Sequence, residues 1–259
     1  MDHVEIAGGA YRVRTWRSGS GPALVFLHGF DQPLNDQGFL ERLASRHTVL
    51  APEHPGFGDS SGFEHVDEIL DMVLYYRQFI EDVAGEPVDL IGHSLGGMFA
   101  AEFAAICPQW VKRLVLVTPF GLWLDDAPIP DLFVMSPSQL QRSMWNDPES
   151  HVAQAALSNS TNGKSGPAAV VARAMNLSAA GKFLWPIPDR GLRKRLPLIK
   201  CPTLIITGSS DRLVPTEYGE AFRALIPGAR AEVVPAAGHM PMLEQPEIFH
   251  RLVDDFLQV

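Results

Sequence analysis

Cysteine, long apolar runs and positive charge are all scarce in this 259-residue sequence. The two cysteines, Cys107 and Cys201, lack the spacing of a metal-binding motif and fall in stretches typical of a core, so we expect reduced, buried thiols. The longest apolar passage, around residues 98–106, contains Glu102 and is far shorter than the roughly 20 residues that a membrane helix needs. The net charge of −9 argues against nucleic-acid or anionic-membrane binding, because both need a clustered positive surface.

The overall composition is that of a globular protein. Apolar residues make up 46% and charged residues 20% of the chain, so a packed core is feasible. The first residues, MDHVEIAGGAYRVR, include acids and no apolar stretch as long as a secretory signal, so we expect a cytoplasmic protein.

Short apolar runs rich in β-branched residues alternate with helical patterns along the chain. The runs occupy residues 23–27, 48–51, 88–91, 114–117, 203–207 and 231–234, and the helical patterns occupy 37–45, 66–83, 95–106, 216–225 and 246–257. Unbroken apolar runs are typical of strands buried on both faces. The alternation therefore predicts an α/β fold with a mostly parallel central sheet and helices on both of its faces.

This alternation stops between residues 120 and 197, where short helical stretches are separated by Pro, Gly and Asn. We predict a core formed by residues 1–120 and 197–259 and a helical insertion, residues 121–196, between two strands of one sheet. Ser136-Pro137 and Asp147-Pro148 are predicted helix starts, with a capping side chain before a proline. Residues 159–166, NSTNGKSG, form the predicted flexible loop.

A candidate nucleophile lies in residues 88–97, VDLIGHSLGG, where a strand leads through G-x-S-x-G into a helix. A nucleophilic serine must project clear of the backbone through a sharp turn, and Gly92 and Gly96 remove the β-carbons that would clash there. The pattern favours Ser94 as nucleophile over a purely structural glycine turn.

A serine hydroxyl needs a base within hydrogen-bond reach, and histidine is the usual one. His239 follows the last predicted strand and precedes the final helix, which places it at the same sheet edge as Ser94; the alternative is a loop-anchoring histidine. His93 adjoins the nucleophile and cannot easily curl back onto it. Five histidines fall on predicted surfaces: His3, His47, His65, His151 and His250.

An imidazole base works best when a carboxylate fixes its tautomer. Asp211 follows the apolar run at 203–207 and is the best candidate. The alternatives are that Asp211 caps the helix near Thr216 or pairs with Arg212. Asp125 and Asp126 are the reserve acids.

The order Ser94, Asp211, His239 resembles that of the α/β-hydrolase family. Other similar stretches are FLHGF at 26–30, PGFGDS at 55–60, and Gly238-His239 followed by Glu244 and Pro246. The likeness covers nearly the whole chain except the insertion. One departure is Glu53, where many relatives carry aspartate.

The resemblance implies further roles. It assigns the oxyanion hole to the backbone N–H groups of Phe30 and Leu95, makes His28 a brace of that loop, and makes the insertion a cap over the nucleophile. It implies no cofactor and no metal. We interpret His54 as a packing or loop-fixing residue, with a place at the pocket rim as the alternative.

A minority of the insertion's large side chains should line an apolar cleft. The candidates for substrate contact are Trp123, Phe133, Met144, Trp145, Trp185 and Arg142. The insertion carries eight basic and six acidic residues, a net charge of +2 that leaves −11 for the rest. We hypothesise that Arg142 or Arg173 orients a carboxylate-bearing substrate, against the alternative of ordinary solvated surface.

The expected function is hydrolysis of a carboxylic ester of a small to medium, largely apolar small molecule through an acyl-enzyme. The resemblance leaves open a carbon–carbon hydrolase of a ring-fission diketone, a lactonase or a perhydrolase. His93 looks more like esterases and lipases than the diketone hydrolases, which often have asparagine there. Dehalogenases and epoxide hydrolases have aspartate where Ser94 stands. From another class, a non-catalytic receptor on the same scaffold remains an alternative. The oligomeric state is not predicted.

Overall fold

The structure, a computed structural model, describes residues 1–31, 38–159 and 166–257, with the backbone alone for 157–159. Its strands are β1 Asp2–Ile6, β2 Tyr11–Ser18, β3 Ala23–Leu27, β4 Thr48–Pro52, β5 Val88–His93, β6 Val111–Val117, β7 Thr203–Gly208 and β8 Arg230–Val234. Its α-helices are α1 Gly38–Ala44, α2 Ile69–Phe79, α3 Leu95–Ile106, α4 Pro137–Met144, α5 His151–Asn159, α6 Gly166–Leu184, α7 Leu192–Arg195, α8 Glu217–Leu225, α9 Pro241–Glu244 and α10 Pro246–Leu257.

The eight strands form one sheet in the order β1-β2-β4-β3-β5-β6-β7-β8. The pairs from β4 through β8 are parallel, which confirms the predicted α/β architecture. All six predicted strands are present. Their carboxyl ends meet at one edge of the sheet, the usual position of a ligand site in this kind of fold.

The antiparallel strands β1 and β2 at the sheet edge were not predicted. Their side chains alternate: Val13 is buried while Arg12 is exposed and Arg14 half-exposed. Only one face of β2 packs on the core, so its sequence does not form an unbroken apolar run.

Helices α3 and α10 have the predicted bounds. Helix α2 begins at Ile69 rather than near residue 66, because the Asp71 carboxylate accepts the backbone N–H groups of Asp67 and Glu68 and caps the helix there. A π-helical turn, Ile80–Ala84, continues it. The proposed start of the first helix at Gln37 lies outside the described residues.

The insertion contains α4 to α7, and no strand among its described residues. Ser136 caps α4 as predicted, with its hydroxyl accepting the Gln139 N–H at 3.3 Å. The predicted helix start at Asp147-Pro148 is wrong: Asp147 closes a turn onto the Glu149 N–H, and Ser150 accepts the Ala153 N–H at the start of α5. Residues 160–165 of the predicted loop lie outside the described residues.

The core contains several polar residues. Cys107 and Cys201 are buried and free, as predicted. His47 and His250, predicted to lie on the surface, are also buried. His47 sits between α1 and β4, and His250 occupies the inward face of α10 with Val253 and is therefore part of the core.

Candidate active site

Three side chains from different loops meet at the carboxyl edge of the sheet. Ser94 follows β5, Asp211 follows β7, and His239 follows β8. The Ser94 Oγ lies 2.8 Å from His239 Nε2, and His239 Nδ1 lies 2.7 Å from Asp211 Oδ2. With the proton on Nδ1, the imidazole donates to the carboxylate and accepts from the hydroxyl. All three residues are buried.

The serine occupies a strained turn. Ser94 has φ 58° and ψ −119°, an unusual conformation for a residue with a β-carbon. A β-carbon on Gly92 would lie 2.4 Å from the Gly96 oxygen, and one on Gly96 would lie 2.3 Å from the Leu27 oxygen. Both neighbours are backbone atoms that cannot move aside, so glycine is a steric requirement on each side of the serine.

The histidine is held through its backbone. The His239 carbonyl accepts His93 Nε2–H at 2.8 Å and the Thr118 hydroxyl at 3.2 Å. Burial keeps the pKa of His93 well below its usual value, so this ring is neutral. The His93 side chain thus supports the loop that carries His239. The sequence gives no signal for this contact beyond the presence of a second histidine at the turn.

Asp211 faces His239 and neither caps α8, whose N-cap Thr216 makes no side-chain capping hydrogen bond, nor pairs with Arg212. Its Oδ1 accepts the backbone N–H groups of Leu213 at 2.8 Å and Val214 at 2.9 Å, while Oδ2 faces His239. Arg212 turns away from this carboxylate and donates to the carbonyls of Arg142 and Trp145. The reserve acids Asp125 and Asp126 are exposed.

The segment that contains Phe30 packs against the start of α3. The Gly96 N–H donates to the His28 carbonyl at 3.1 Å, which holds residues 28–30 beside Leu95, the first residue of α3. The positive end of a helix dipole favours negative charge at this point. Residues 28–30 and the start of α3 therefore lie side by side next to Ser94, whose β-carbon would be 3.0 Å from a β-carbon on Gly29.

A pair of neutral histidines fixes this segment. The rings of His28 and His54 stack with centroids 3.6 Å apart, His54 Nε2–H donates to the His28 carbonyl at 2.8 Å, and the Tyr76 hydroxyl donates to His54 Nδ1 at 2.7 Å. Burial lowers the pKa of His28 to about 4 and that of His54 well below its usual value. His54 is fully buried in this cluster. Glu53 beside it accepts the Asp59 N–H at 3.1 Å.

The candidate substrate contacts fall into two groups. Trp123, Phe133 and Trp185 line a cavity of about 90 Å³ together with Phe120, whose ring centroid lies 5.8 Å from that of His239. The other three candidates, Arg142, Met144 and Trp145, lie at the end of α4. Met144 and Trp145 are buried and the Arg142 side chain is exposed.

The end of α4 is bound to the loops that carry Asp211 and His239. Arg212 donates to backbone carbonyls of α4, and the His239 N–H donates to the Met144 carbonyl. The Glu244 carboxylate accepts the N–H groups of Asn146 at 2.8 Å and Gly238 at 2.7 Å, and burial raises its pKa. The insertion is therefore joined directly to the residues beside His239. The sequence indicated no contact for Glu244, which it marked only as part of the motif that follows His239.

Arg173 of α6 approaches the core beside the candidate oxyanion segment. One of its nitrogens lies 3.8 Å from Asp31 Oδ1, and Asp31 directly follows Phe30. Burial raises the pKa of Asp31, while the positive charges of Arg173 and of His239, when protonated, act to lower it. The charge of Arg173 is thus already opposed by a carboxylate of the protein.

A second cavity of about 530 Å³ lies between α2 and the end of the insertion and includes none of Ser94, His239 or Asp211. Two of its cations are already paired, Lys182 with Asp67 and Arg195 with Glu102. We assign it no role. Among the described residues, no group of three or more His, Cys, Asp or Glu side chains is arranged to hold a metal ion. None of the described helices combines the length and apolar character that a bilayer crossing requires.

The fold and the serine–histidine–aspartate arrangement are those of a hydrolase, and comparison with known proteins identifies the family. The sequence profile of the alpha/beta hydrolase family matches residues 24–252. The chain belongs to this family.

The relatives include several kinds of hydrolase. A pimeloyl-[acyl-carrier protein] methyl ester esterase of Xanthomonas oryzae pv. oryzae is 32% identical over 237 residues, which are 87% of this chain and 90% of that protein. A membrane phospholipase A is similar in structure, with a TM-score of 0.82 at 25% identity over 99% of this chain and 85% of that one. A meta-cleavage product hydrolase from Pseudomonas fluorescens IP01 shares the fold, with a TM-score of 0.80 at 21% identity over 100% and 97% of the two chains.

Proposed function

We propose that this protein is a serine hydrolase that cleaves a carboxylic ester of a small to medium, largely apolar molecule through an acyl-enzyme on Ser94. The observation that carries the proposal is the line of hydrogen bonds from the Ser94 hydroxyl through His239 to Asp211, at 2.8 and 2.7 Å. These distances lie within the range over which a general base can take a proton. The esterase relative at 32% identity supports the same reaction class.

The proposed reaction has two stages. Ser94 Oγ attacks the ester carbonyl as His239 Nε2 takes its proton, and His239 then protonates the leaving alcohol. Water, activated by the same imidazole, releases the acid and restores Ser94. Asp211 holds the Nδ1–H tautomer and stabilises the imidazolium.

The tetrahedral oxyanion is stabilised in this proposal by the N–H groups of Phe30 and Leu95. Such donors contribute about 2.7 to 4 kcal/mol each when they are fixed in advance. Two features of the structure support fixed donors: the Gly96 to His28 hydrogen bond, and the His28–His54 stack. Residues 121–196 act as a cap in this account, since α4 is bound to the loop of His239.

Burst kinetics with p-nitrophenyl butyrate test the proposal. We expect a rapid release of p-nitrophenol followed by a slower steady rate, and loss of both in Ser94→Ala. Ser45→Ala, an exposed serine at the end of α1, is the matched control and should behave as wild type. Absence of turnover with any activated ester would favour a receptor instead.

The same preparation should be tested with a ring-fission diketone and a lactone. A higher kcat/KM on the diketone than on every ester would replace ester hydrolysis by carbon–carbon hydrolysis as the assigned reaction. Loss of diketone activity in Ser94→Ala would still assign the chemistry to this site.

A further inference from the structure

An apolar groove lies open on the surface of the described part of the insertion. Its cavity volume is about 480 Å³, and it lies between α6 and the segment that carries Phe133 and Val134, with Trp185 at one end. Val134 is 77% exposed and Trp185 is 50% exposed, which is a large exposure for apolar side chains of this size. Leu177 of α6 forms part of its floor. We call it the outer groove. Contiguous exposed apolar surface of this kind is characteristic of a binding site.

The outer groove adjoins the smaller cavity beside the candidate active site, which we call the inner cavity. Phe133 and Trp185 line both. Their rings meet edge to face, with centroids 5.9 Å apart and planes at 89°. The two spaces therefore share this pair of side chains as a common wall.

The inner cavity is separated from Ser94 and His239 by Phe120. Phe120 forms its wall, and the Phe120 N–H donates to the Ser94 carbonyl at 3.2 Å. The Phe120 ring lies 5.8 Å from the ring of His239 and 6.2 Å from that of Phe30, measured between centroids. Phe120, and then the pair Phe133 and Trp185, therefore lie in succession between the triad and the surface, and an apolar chain bound along this route would have to pass them.

The charges along this route indicate its occupant. Among the described residues that line the two cavities there is no lysine or arginine, and the one ionisable side chain is Asp131. Asp131 accepts the Phe133 N–H at 2.9 Å and is exposed to solvent. A carboxylate at the far end of a substrate would find no cation here and one anion. The lining favours an uncharged hydrocarbon chain.

We propose that the outer groove binds the distal part of a long, uncharged alkyl chain of the ester whose carbonyl lies at Ser94, with Phe133 and Trp185 forming the gate. The inference rests on the proposed ester hydrolysis and extends its substrate class from small molecules to long-chain esters. The groove adds affinity for each methylene that it covers, so kcat/KM should increase with chain length until the groove is filled.

The test compares kcat/KM on p-nitrophenyl acetate and p-nitrophenyl octanoate, kept below the concentration at which the octanoate forms micelles. Trp185→Ala should lower kcat/KM on the octanoate about tenfold, since loss of contact with about two methylenes has that effect. The acetate value should fall less than the octanoate value, because an acetyl group is too short to reach the outer groove, so the octanoate-to-acetate ratio of kcat/KM is the readout. Val134→Asp places a charge in the groove at an exposed position that folding tolerates, and should also lower this ratio. Met175→Ala is the matched control, an exposed residue of α6 outside the groove lining.

Equal losses on both esters, or unchanged octanoate values in both variants, would overturn the proposal. In a separate series that crosses the micelle concentration, activity on the octanoate that begins only once micelles form would assign the apolar surface to a lipid interface and would equally overturn the proposal. If wild type hydrolyses the acetate without any dependence on chain length, only this inference fails. If it hydrolyses neither ester, the proposed function itself fails.

Discussion

Replacing Asp211 by asparagine should change the protonation of His239 while leaving the shape of the side chain almost unaltered. Two backbone N–H groups, from Leu213 and Val214, point at Oδ1, and His239 Nδ1 points at Oδ2. Asparagine has only one acceptor oxygen. If its NH₂ faced the backbone donors, two buried N–H groups would lose their partner, at about 1 to 3 kcal/mol each. The NH₂ will therefore face His239.

This orientation reverses the tautomer of the base. With a donor opposite Nδ1, the imidazole proton moves to Nε2, where it faces the hydroxyl of Ser94 and cannot accept its proton. Comparable substitutions in serine–histidine–aspartate sites lower kcat about 10⁴-fold. At about 1.36 kcal/mol for each factor of ten, the transition state loses roughly 5.4 kcal/mol. The free energy of unfolding should change far less, because the backbone hydrogen bonds are kept.

The assay is kcat on p-nitrophenyl butyrate, with thermal unfolding recorded for the same samples. Asp125→Asn is the control, since Asp125 is one of the two reserve acids of the sequence, is exposed, and accepts a hydrogen bond from the Trp123 indole N–H. It should retain wild-type activity. A folded Asp211→Asn protein that keeps more than about a tenth of the wild-type kcat would refute the assigned acid.

Three further predictions concern charge and burial. Arg195→Ala should lower the free energy of unfolding in urea by about 3 kcal/mol, because it leaves the buried Glu102, bound to Arg195 at 2.5 and 2.6 Å, without its partner. Adding Glu102→Gln should recover part of the loss. An unchanged midpoint of urea unfolding in Arg195→Ala would contradict this prediction. Burial lowers the pKa of His250 to about 4, so as pH falls below about 6.5 the unfolded chain binds a proton before the folded protein does, and stability is lost between pH 6.5 and 4. His250→Phe should reduce that loss by up to about 3 kcal/mol, measured by urea denaturation at pH 7 and pH 4. The same pH dependence in wild type and variant would exclude this role for His250. Arg173→Ala should lower kcat/KM on neutral and anionic esters alike, because it removes the positive charge that faces Asp31 beside Phe30. Adding Asp31→Asn should restore kcat/KM. A loss confined to anionic esters would instead make Arg173 a substrate contact.

Most of the sheet could be predicted because its central strands are buried on both faces and read as unbroken apolar runs. Strand β2 could not be found in that way, since Arg12 and Arg14 alternate with buried residues along it. His250 was misplaced for a different reason. It is three residues before Val253 on the inward face of α10, so the helical period contained a signal that polarity alone concealed.

The order of Ser94, Asp211 and His239 along the chain was enough to predict that they meet, because all three follow strands that end at one edge of the sheet. The contacts that fix them were not predictable. His93 and Arg212 donate to backbone carbonyls. Every residue has a backbone carbonyl, so the sequence does not indicate which one a side chain will contact. Which carbonyl lies within reach is decided by how α4 packs on the loops, which depends on the whole tertiary structure.

Ester hydrolysis by the proposed route requires that Ser94 become covalently acylated during turnover. Mass spectrometry of the protein, quenched in acid during steady hydrolysis of p-nitrophenyl butyrate, tests it most directly. We predict a mass increase of one butyryl group that peptide mapping assigns to Ser94 and that is absent from Ser94→Ala. An adduct on any other residue, or continued turnover by Ser94→Ala at the wild-type rate, would contradict the account.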